Sequence, residues 1–394
     1  MLLWGVVVME KMLIVASRLS HIVNFHLPYI QAFREAGWQV DVAAEGTVKH
    51  PLLGRCYDMH FVKNPLSVEN WKTIRQLTAL LRENHYTLVY SNATLAGFAL
   101  RMAVKRLPQQ ERPRCVHISH GYMFDDSRQL RSRVYRMVEK HLAKVTDTLV
   151  VMNHEDEQLA RRYHLSKQIV FTHGMGLCGE RFPSITQKER QTLRQQYGAD
   201  EDTMVLLCVG EFSARKNQAL LIEALNRLPL TARRRCRLLL AGQGATQEAC
   251  QQLTARYELQ PFVHFLGQVA EPAALYRCAD VLVSAATMEG LPFNVMEALY
   301  CGIPVVASRI KGHTDLLTDG DNGLLFDIHT DHAADRLTAQ WQKLLNDHAL
   351  YQRLKDHAVL PARYQIEHVR PYLYSVLSGG SDTVEIPTPE VTHL

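Results

Sequence analysis

Val281-Leu282-Val283-Ser284, then Glu289-Gly290-Leu291-Pro292-Phe293-Asn294-Val295-Met296-Glu297, then Gly302-Ile303-Pro304-Val305-Val306-Ala307 reads as strand, loop, helix and strand in succession. Pro292 stands where a first helical residue would be, a position whose missing N–H costs nothing. The loop before it therefore aims backbone N–H groups, and the positive end of a helix dipole, at one point. That is an anion site, and phosphate is its usual occupant. Carboxylates repel phosphate, so Glu289 and Glu297 are expected to accept hydrogen bonds from hydroxyls attached to it. A sugar nucleotide is the ligand that this combination implies.

The same strand–helix alternation runs along the whole chain, as in a parallel sheet covered by helices. In the first half, strands are expected at 12–16, 40–44, 88–91, 115–119, 148–152 and 169–172, with helices at 27–36, 71–85, 95–105, 130–144 and 155–163. A polar, basic stretch at 186–202 reads as the junction. The second half restarts with strands at 205–209, 238–241, 263–266, 281–284, 305–307 and 323–326, and with helices at 218–228 and 246–257. The expected fold is α/β, two doubly wound Rossmann-like domains facing across a cleft, at 1–185 and 186–360. A helix at 361–378 is expected to pack back on the first domain, ahead of a disordered tail at 379–394. Ligands of such sheets bind at the carboxyl ends of the strands.

Composition narrows the class. The chain has 394 residues, 47% hydrophobic and 21% charged, and its net charge of +4 is too small to argue for nucleic acid as a partner. Eight scattered cysteines without a C-x-x-C pair read as reduced thiols in a cytoplasmic protein. No run of 18 apolar residues is present to cross a membrane. The apolar run 2–8 lacks a basic start and a cleavage site, so it is not read as a signal peptide; Met1, Met9 and Met12 are all candidate starts.

The frame from Ser284 to Phe326 resembles the donor-binding half of retaining family-4 glycosyltransferases of the two-Rossmann-domain (GT-B) type. Its marks are the E-x7-E pair, Gly302-Ile303-Pro304-Val305-Val306-Ala307-Ser308, and Asp319-Gly320-Asp321-Asn322-Gly323-Leu324-Leu325-Phe326. The resemblance implies that Glu289 bonds the donor sugar and Glu297 the ribose. The loop of Gly290, Leu291, Pro292, Phe293 and Asn294 would meet the diphosphate through its backbone. Gly210-Glu211-Phe212-Ser213-Ala214-Arg215-Lys216-Asn217 follows a strand and opens a helix. Lys216 matches the family's phosphate lysine, beside Gly210, and can stabilise a departing nucleoside diphosphate. Glu211 stands where the family usually has Arg, so either Arg215 supplies the second cation or the site uses one.

In the first half, His120-Gly121 follows an expected strand and matches a family His that contacts the donor sugar or the leaving phosphate. At an ordinary pKa it can donate a hydrogen bond or relay a proton. His117 reads as structural. The loop Ser17-Arg18-Leu19-Ser20-His21-Ile22-Val23-Asn24-Phe25-His26 carries no glycine and looks like a polysaccharide-assembly subgroup of the family. With Ser91-Asn92, it makes His21, Asn24 and Asn92 candidates for binding the acceptor. No Asp-x-Asp sits at a strand end, so no divalent metal and no cofactor are expected, only a nucleoside-diphosphate sugar as co-substrate.

Residues 101–144 hold eleven Lys/Arg against four Asp/Glu. Arg128, Arg131, Arg133, Arg136, Lys140 and Lys144 share a helical stretch with Val134, Met137, Val138 and Leu142, a pattern that suits an anionic membrane surface. The whole reads as a cytoplasmic enzyme, peripheral on the inner face of the membrane. It would move a hexose from a UDP-sugar to a glycan or polyprenyl-diphosphate-linked acceptor for exopolysaccharide or O-antigen. The alternatives are a sugar-nucleotide epimerase of the same fold and a non-catalytic nucleotide-sugar-binding protein.

Overall fold

The computed structural model describes residues 9–62 and 67–380. The apolar run 2–8 and the tail beyond 380 lie outside the described residues. The chain divides into two compact units. One comprises the chain to Gly176 together with the chain from Ile366; the other is Leu177–Gln365.

Unit 1 holds a parallel sheet of strands β1 (Lys11–Arg18), β2 (Gln39–Glu45), β3 (Cys56–Asp58), β4 (Leu88–Asn92), β5 (Arg114–Ile118), β6 (Thr148–Val151) and β7 (Gln168–Phe171). Its order is β3-β2-β1-β4-β5-β6-β7. The helices between are α1 (Leu19–Phe25), α2 (Leu27–Glu35), α3 (Val68–Asn84), α4 (Thr94–Lys105), α5 (Leu130–Leu142) and α6 (His154–Tyr163). Unit 2 repeats the plan with β8 (Met204–Val209), β9 (Cys236–Ala241), β10 (Val263–Gly267), β11 (Val281–Ser284), β12 (Val305–Ser308) and β13 (Gly323–Phe326), in the order β10-β9-β8-β11-β12-β13. Its helices are α7 (Gln187–Gln196), α8 (Gln218–Arg227), α9 (Leu230–Arg234), α10 (Gln247–Arg256), α11 (Ala273–Cys278), α12 (Phe293–Tyr300), α13 (His313–Leu316), α14 (Ala333–Asn346) and α15 (His348–Asp356). Helix α16 (Ile366–Ser378) belongs to unit 1, where it packs on α2 and offers the carbonyls of Val376 and Leu377 to Arg114.

Strands covered on both faces must be apolar at every position, which is why they read as continuous runs. Leu206 and Cys208 of β8 enter one core with Leu221, Leu238 and Trp341. Val205 and Leu207 enter the other with Leu239, Leu282 and Leu299.

Two expectations change. The polar stretch at 186–202 is not a linker but contains α7, closed by a capping box between Thr186 and Glu189. It carries little apolar surface because ion pairs hold it: Arg190 and Arg194 reach Asp280 at 2.6 and 2.7 Å. The first crossing between units therefore comes at Gly176, nine residues ahead of the expected 185, and the return comes at Ile366 rather than 361. The segment after β1, expected as a loop, is the helix α1. Five further helices, α9, α11, α13, α14 and α15, and the short strand β3 add to the expected elements.

Arg101, expected on a basic surface, is fully buried and makes a two-pronged pair with Glu139, at 2.7 and 2.9 Å, that ties α4 to α5. Removing one partner strands a buried charge. Glu139→Ala should lower unfolding free energy by about 3–5 kcal/mol in urea titration; a loss under about 1 kcal/mol would contradict a buried pair.

Candidate functional site

In unit 2 the strand order reverses between β8 and β11, the kind of switch point at whose carboxyl ends ligands of such sheets bind. Both loops carry candidate residues. Glu289, only 8% exposed, places Oε1 at 2.7 Å from Lys216 Nζ and 2.8 Å from Arg215 Nη1. Arg215 Nη1 also donates to Met288 O at 3.0 Å, and Thr287 N–H donates to Arg215 O at 2.8 Å, stitching the two loops together. Burial alone would raise the Glu289 carboxyl; Lys216, and after it Arg215, outweigh burial and hold it below its ordinary value. Arg215 is thus the second cation beside Lys216. Glu211 is exposed, and its carbonyl accepts from Gln218 Nε2 at 3.0 Å.

Glycines bring the backbones close. A Cβ on Gly242 would lie 2.0 Å from Gly210 O, so the loops after β8 and β9 meet main chain to main chain. A Cβ on Gly210 would crowd Lys216 Cε at 3.3 Å. Gly312, at φ +80°, lies against Gly290, where a Cβ would be 2.6 Å from the Gly290 carbonyl oxygen.

Pro292 is the residue before the helix rather than its first member, with its carbonyl accepting from Met296 N–H at 3.3 Å. No side chain caps α12 at Pro292, and Gly290, Leu291 and Phe293 flank that end. The Asn294 amide is committed to protein: Nδ2 donates to Val209 O at 3.1 Å and Oδ1 accepts from Val295 N–H at 3.0 Å. The first of these bonds ties α12 to β8. Glu297 is one helical turn on, and the buried Tyr276 hydroxyl donates to its Oε2 at 2.5 Å. Burial raises this carboxyl above its ordinary value, with Tyr276 acting against the rise.

Sequence reasoning missed Tyr276 and His313. His313 is fully buried; its Nδ1 lies 2.8 Å from Ser308 O, and its Nε2 lies 3.3 Å from Ser284 Oγ. Burial pushes it down to about 4. No sequence motif marks either residue; only tertiary packing brings them to the carboxylates.

In unit 1 the order reverses between β1 and β4, and three candidates gather from the ends of β1, β4 and β5. His120 Nε2 is 2.8 Å from Asn92 Oδ1, and the His21 and His120 rings meet edge to face with centroids 5.0 Å apart. An amide oxygen only accepts, so His120 Nε2 carries the proton and Nδ1 the lone pair. His26, which sequence reading left out of the site, joins them: its ring is 5.3 Å from His21, and Nδ1 is 3.1 Å from the Tyr90 hydroxyl. Burial pushes His120 to about 3, His21 to about 4 and His26 well below its ordinary value. These rings are held neutral near pH 7, so the ordinary pKa expected of His120 does not hold. Among the described residues, buried His21 Nε2, His26 Nε2 and Asn92 Nδ2 have no hydrogen-bond partner. Asn24 does not join; it is exposed and faces a separate depression lined by Arg18, Gly46 and Thr47. His117 is structural: its Nδ1 bonds Ser91 Oγ at 3.0 Å, and its ring lies on Gly97. Among the described residues, no group of three or more His, Cys, Asp or Glu is placed to hold a metal ion.

Two family models match the chain: "Glycosyltransferase Family 4" over residues 29–174 and "Glycosyl transferases group 1" over 189–359. A "Putative glycosyltransferase EpsD" of Bacillus subtilis is 31% identical, with the alignment covering 81% of this chain and 84% of the relative. A "UDP-Gal:alpha-D-GlcNAc-diphosphoundecaprenol alpha-1,3-galactosyltransferase" of Escherichia coli is 23% identical over 68% of this chain and 69% of its own. Among solved structures, a sucrose-phosphate synthase from Thermosynechococcus elongatus superposes with a TM-score of 0.76 at 21% identity, covering 94% of this chain and 98% of the other. Anabaena HepE, in complex with UDP and glucose, gives 0.73 at 19% identity, covering 94% and 100%. The last two establish likeness of fold, two parallel α/β sheets of the GT-B kind.

Since the Glu289 carboxyl is held below its unfolded value, its stabilising contribution is full above about pH 4.5 and is lost as pH falls through the folded value. Lys216→Met should therefore cost about 1–3 kcal/mol of stability at pH 7, with the gap closing on acidification below about pH 4.5 in parallel urea titrations. A gap independent of pH would contradict the pair.

Proposed function

The chain belongs to the family-4, group 1 glycosyltransferases, and we propose that it transfers a sugar, with retention of anomeric configuration, from a UDP-sugar to a glycan or lipid-linked saccharide in cell-surface polysaccharide assembly. The observation that carries this reading is the convergence of Lys216 and Arg215 on one oxygen of Glu289 beside the uncapped start of α12. A diphosphate is the natural competitor for two cations held by a carboxylate. As it takes Lys216 and Arg215, Glu289 is released to accept hydrogen bonds from the sugar hydroxyls. Glu297, oriented by Tyr276, accepts from the ribose.

The chemistry follows from that placement. The bond between the anomeric carbon and the phosphate oxygen breaks through an oxocarbenium-like state. The acceptor oxygen bonds the same carbon on the face the diphosphate leaves, and its proton passes to the leaving phosphate. Lys216 and Arg215 stabilise the charge that develops on the departing group. They do the work for which other enzymes use a divalent cation, so turnover should persist in excess EDTA. In unit 1, His120, His21 and Asn92 supply neutral hydrogen-bonding groups for the transferred sugar or the acceptor. The E. coli relative named for a diphosphoundecaprenol-linked acceptor and the Bacillus relative EpsD support the lipid-linked, exopolysaccharide setting.

Incubation with a panel of UDP-, GDP-, ADP- and dTDP-sugars and a diphosphopolyprenol-linked saccharide tests the reading. Transfer from a UDP-sugar to give a product of unchanged anomeric configuration is expected; isomerisation of the donor, or binding alone, would replace it with an epimerase or a binding protein. Glu289→Gln should cut turnover by about 10²–10³-fold while the fold persists; near-normal turnover would sink the assignment. Glu297→Ala should weaken UDP binding about tenfold, the scale of one lost charged hydrogen bond.

A further inference from the structure

Helix α5 is mounted inside out. Its buried residues are Ser132, Glu139 and Leu142. Ser132 Oγ donates to Asp125 Oδ1 at 2.7 Å, and Glu139 takes the fork of the buried Arg101. The large apolar side chains lie on the far side: Leu130 is 74% exposed, Val134 45% and Met137 65%. At the α-helical turn these three fall within about 60° of one another and nearly opposite Glu139. A helix on the surface of a soluble domain does the reverse, turning its apolar stripe inward. Exposed cations flank the stripe, Arg131, Arg133 and Lys140, and Arg128 and Lys144 are exposed just beyond the two ends of the helix. Glu139 is the only acidic residue of the helix, and Arg101 neutralises it below the surface.

We propose that α5 lies in the headgroup layer of an anionic lipid bilayer, with Leu130, Val134 and Met137 sunk among the upper acyl carbons and the flanking cations at the level of the phosphates. Charge selects this occupant. A second copy of the chain docking symmetrically would set the same basic flanks against each other, whereas an anionic leaflet is attracted by each of them. The contact is peripheral: 13 residues of helix are about 20 Å long, short of the bilayer core. Among the described residues, no helix is long and apolar enough to cross a membrane. This membrane contact is independent of which donor unit 2 binds.

The test is sedimentation of the full chain with vesicles of phosphatidylcholine, with and without phosphatidylglycerol, at low and high salt. Binding to the anionic vesicles alone, weakened by salt, is expected. Leu130→Ser with Met137→Ser should lower the partition coefficient about tenfold or more. Arg131→Gln and Arg133→Gln should lower it about fivefold each, with circular dichroism showing both variants folded. Equal binding to neutral vesicles, no binding, or variants that bind like the wild type would overturn the proposal. So would a dimer in sedimentation velocity that the Leu130→Ser/Met137→Ser change dissociates. UDP binding, measured separately, reports on unit 2 and is expected to be unchanged in these variants.

Discussion

One carboxylate oxygen organises the second unit. Glu289 Oε1 receives both Lys216 and Arg215, and so joins the loop after β8 to the loop after β11 at the point where the strand order reverses. A carboxylate this buried would be costly with one partner or none. Two cations make it tolerable, and the same two cations are what a diphosphate needs. Under the proposed function, stability and ligand recognition draw on the same three side chains. The surroundings serve that arrangement: Gly210, Gly242 and Gly312 let backbones approach where a Cβ would clash, and Asn294 fixes the start of α12 to β8.

Much of this was legible in the sequence because parallel sheets buried on both faces leave a strong record. Apolar runs such as 205–209 and 281–284 need no partner pattern to be recognised, and both lie in strands. The carboxylate spacing and Lys216 were legible as chemistry, since few structural reasons put two glutamates around a Gly-Leu-Pro loop. What stayed hidden was held by tertiary polar contacts. Helix α7 looks like a linker because its anchor is Arg194 on Asp280 rather than an apolar face. Helix α1 lacks an N-terminal side-chain cap and spans only seven residues. His26, Tyr276 and His313 are single residues on unremarkable elements; only the fold sets them beside Tyr90, Glu297 and Ser284.

Burial also changed what individual residue types can do. Packed against His21 and hydrogen-bonded to Asn92, the His120 imidazole is held neutral near pH 7. The basic segment 101–144 divides in the same way. Arg101 is consumed in the interior and Arg114 serves the carbonyls of α16, whereas cations around the outer face of α5 remain exposed. Charge counted along the chain is not charge presented at the surface.

The central claim is that nucleoside diphosphate and Glu289 exchange places on Lys216 and Arg215. A crystal structure of the chain with an intact UDP-sugar measures this directly. The account requires the diphosphate oxygens within hydrogen-bond distance of Lys216 Nζ and Arg215, with the Glu289 carboxylate turned to the sugar hydroxyls. A bound donor lying elsewhere, with Glu289 Oε1 still paired to both cations, would contradict it.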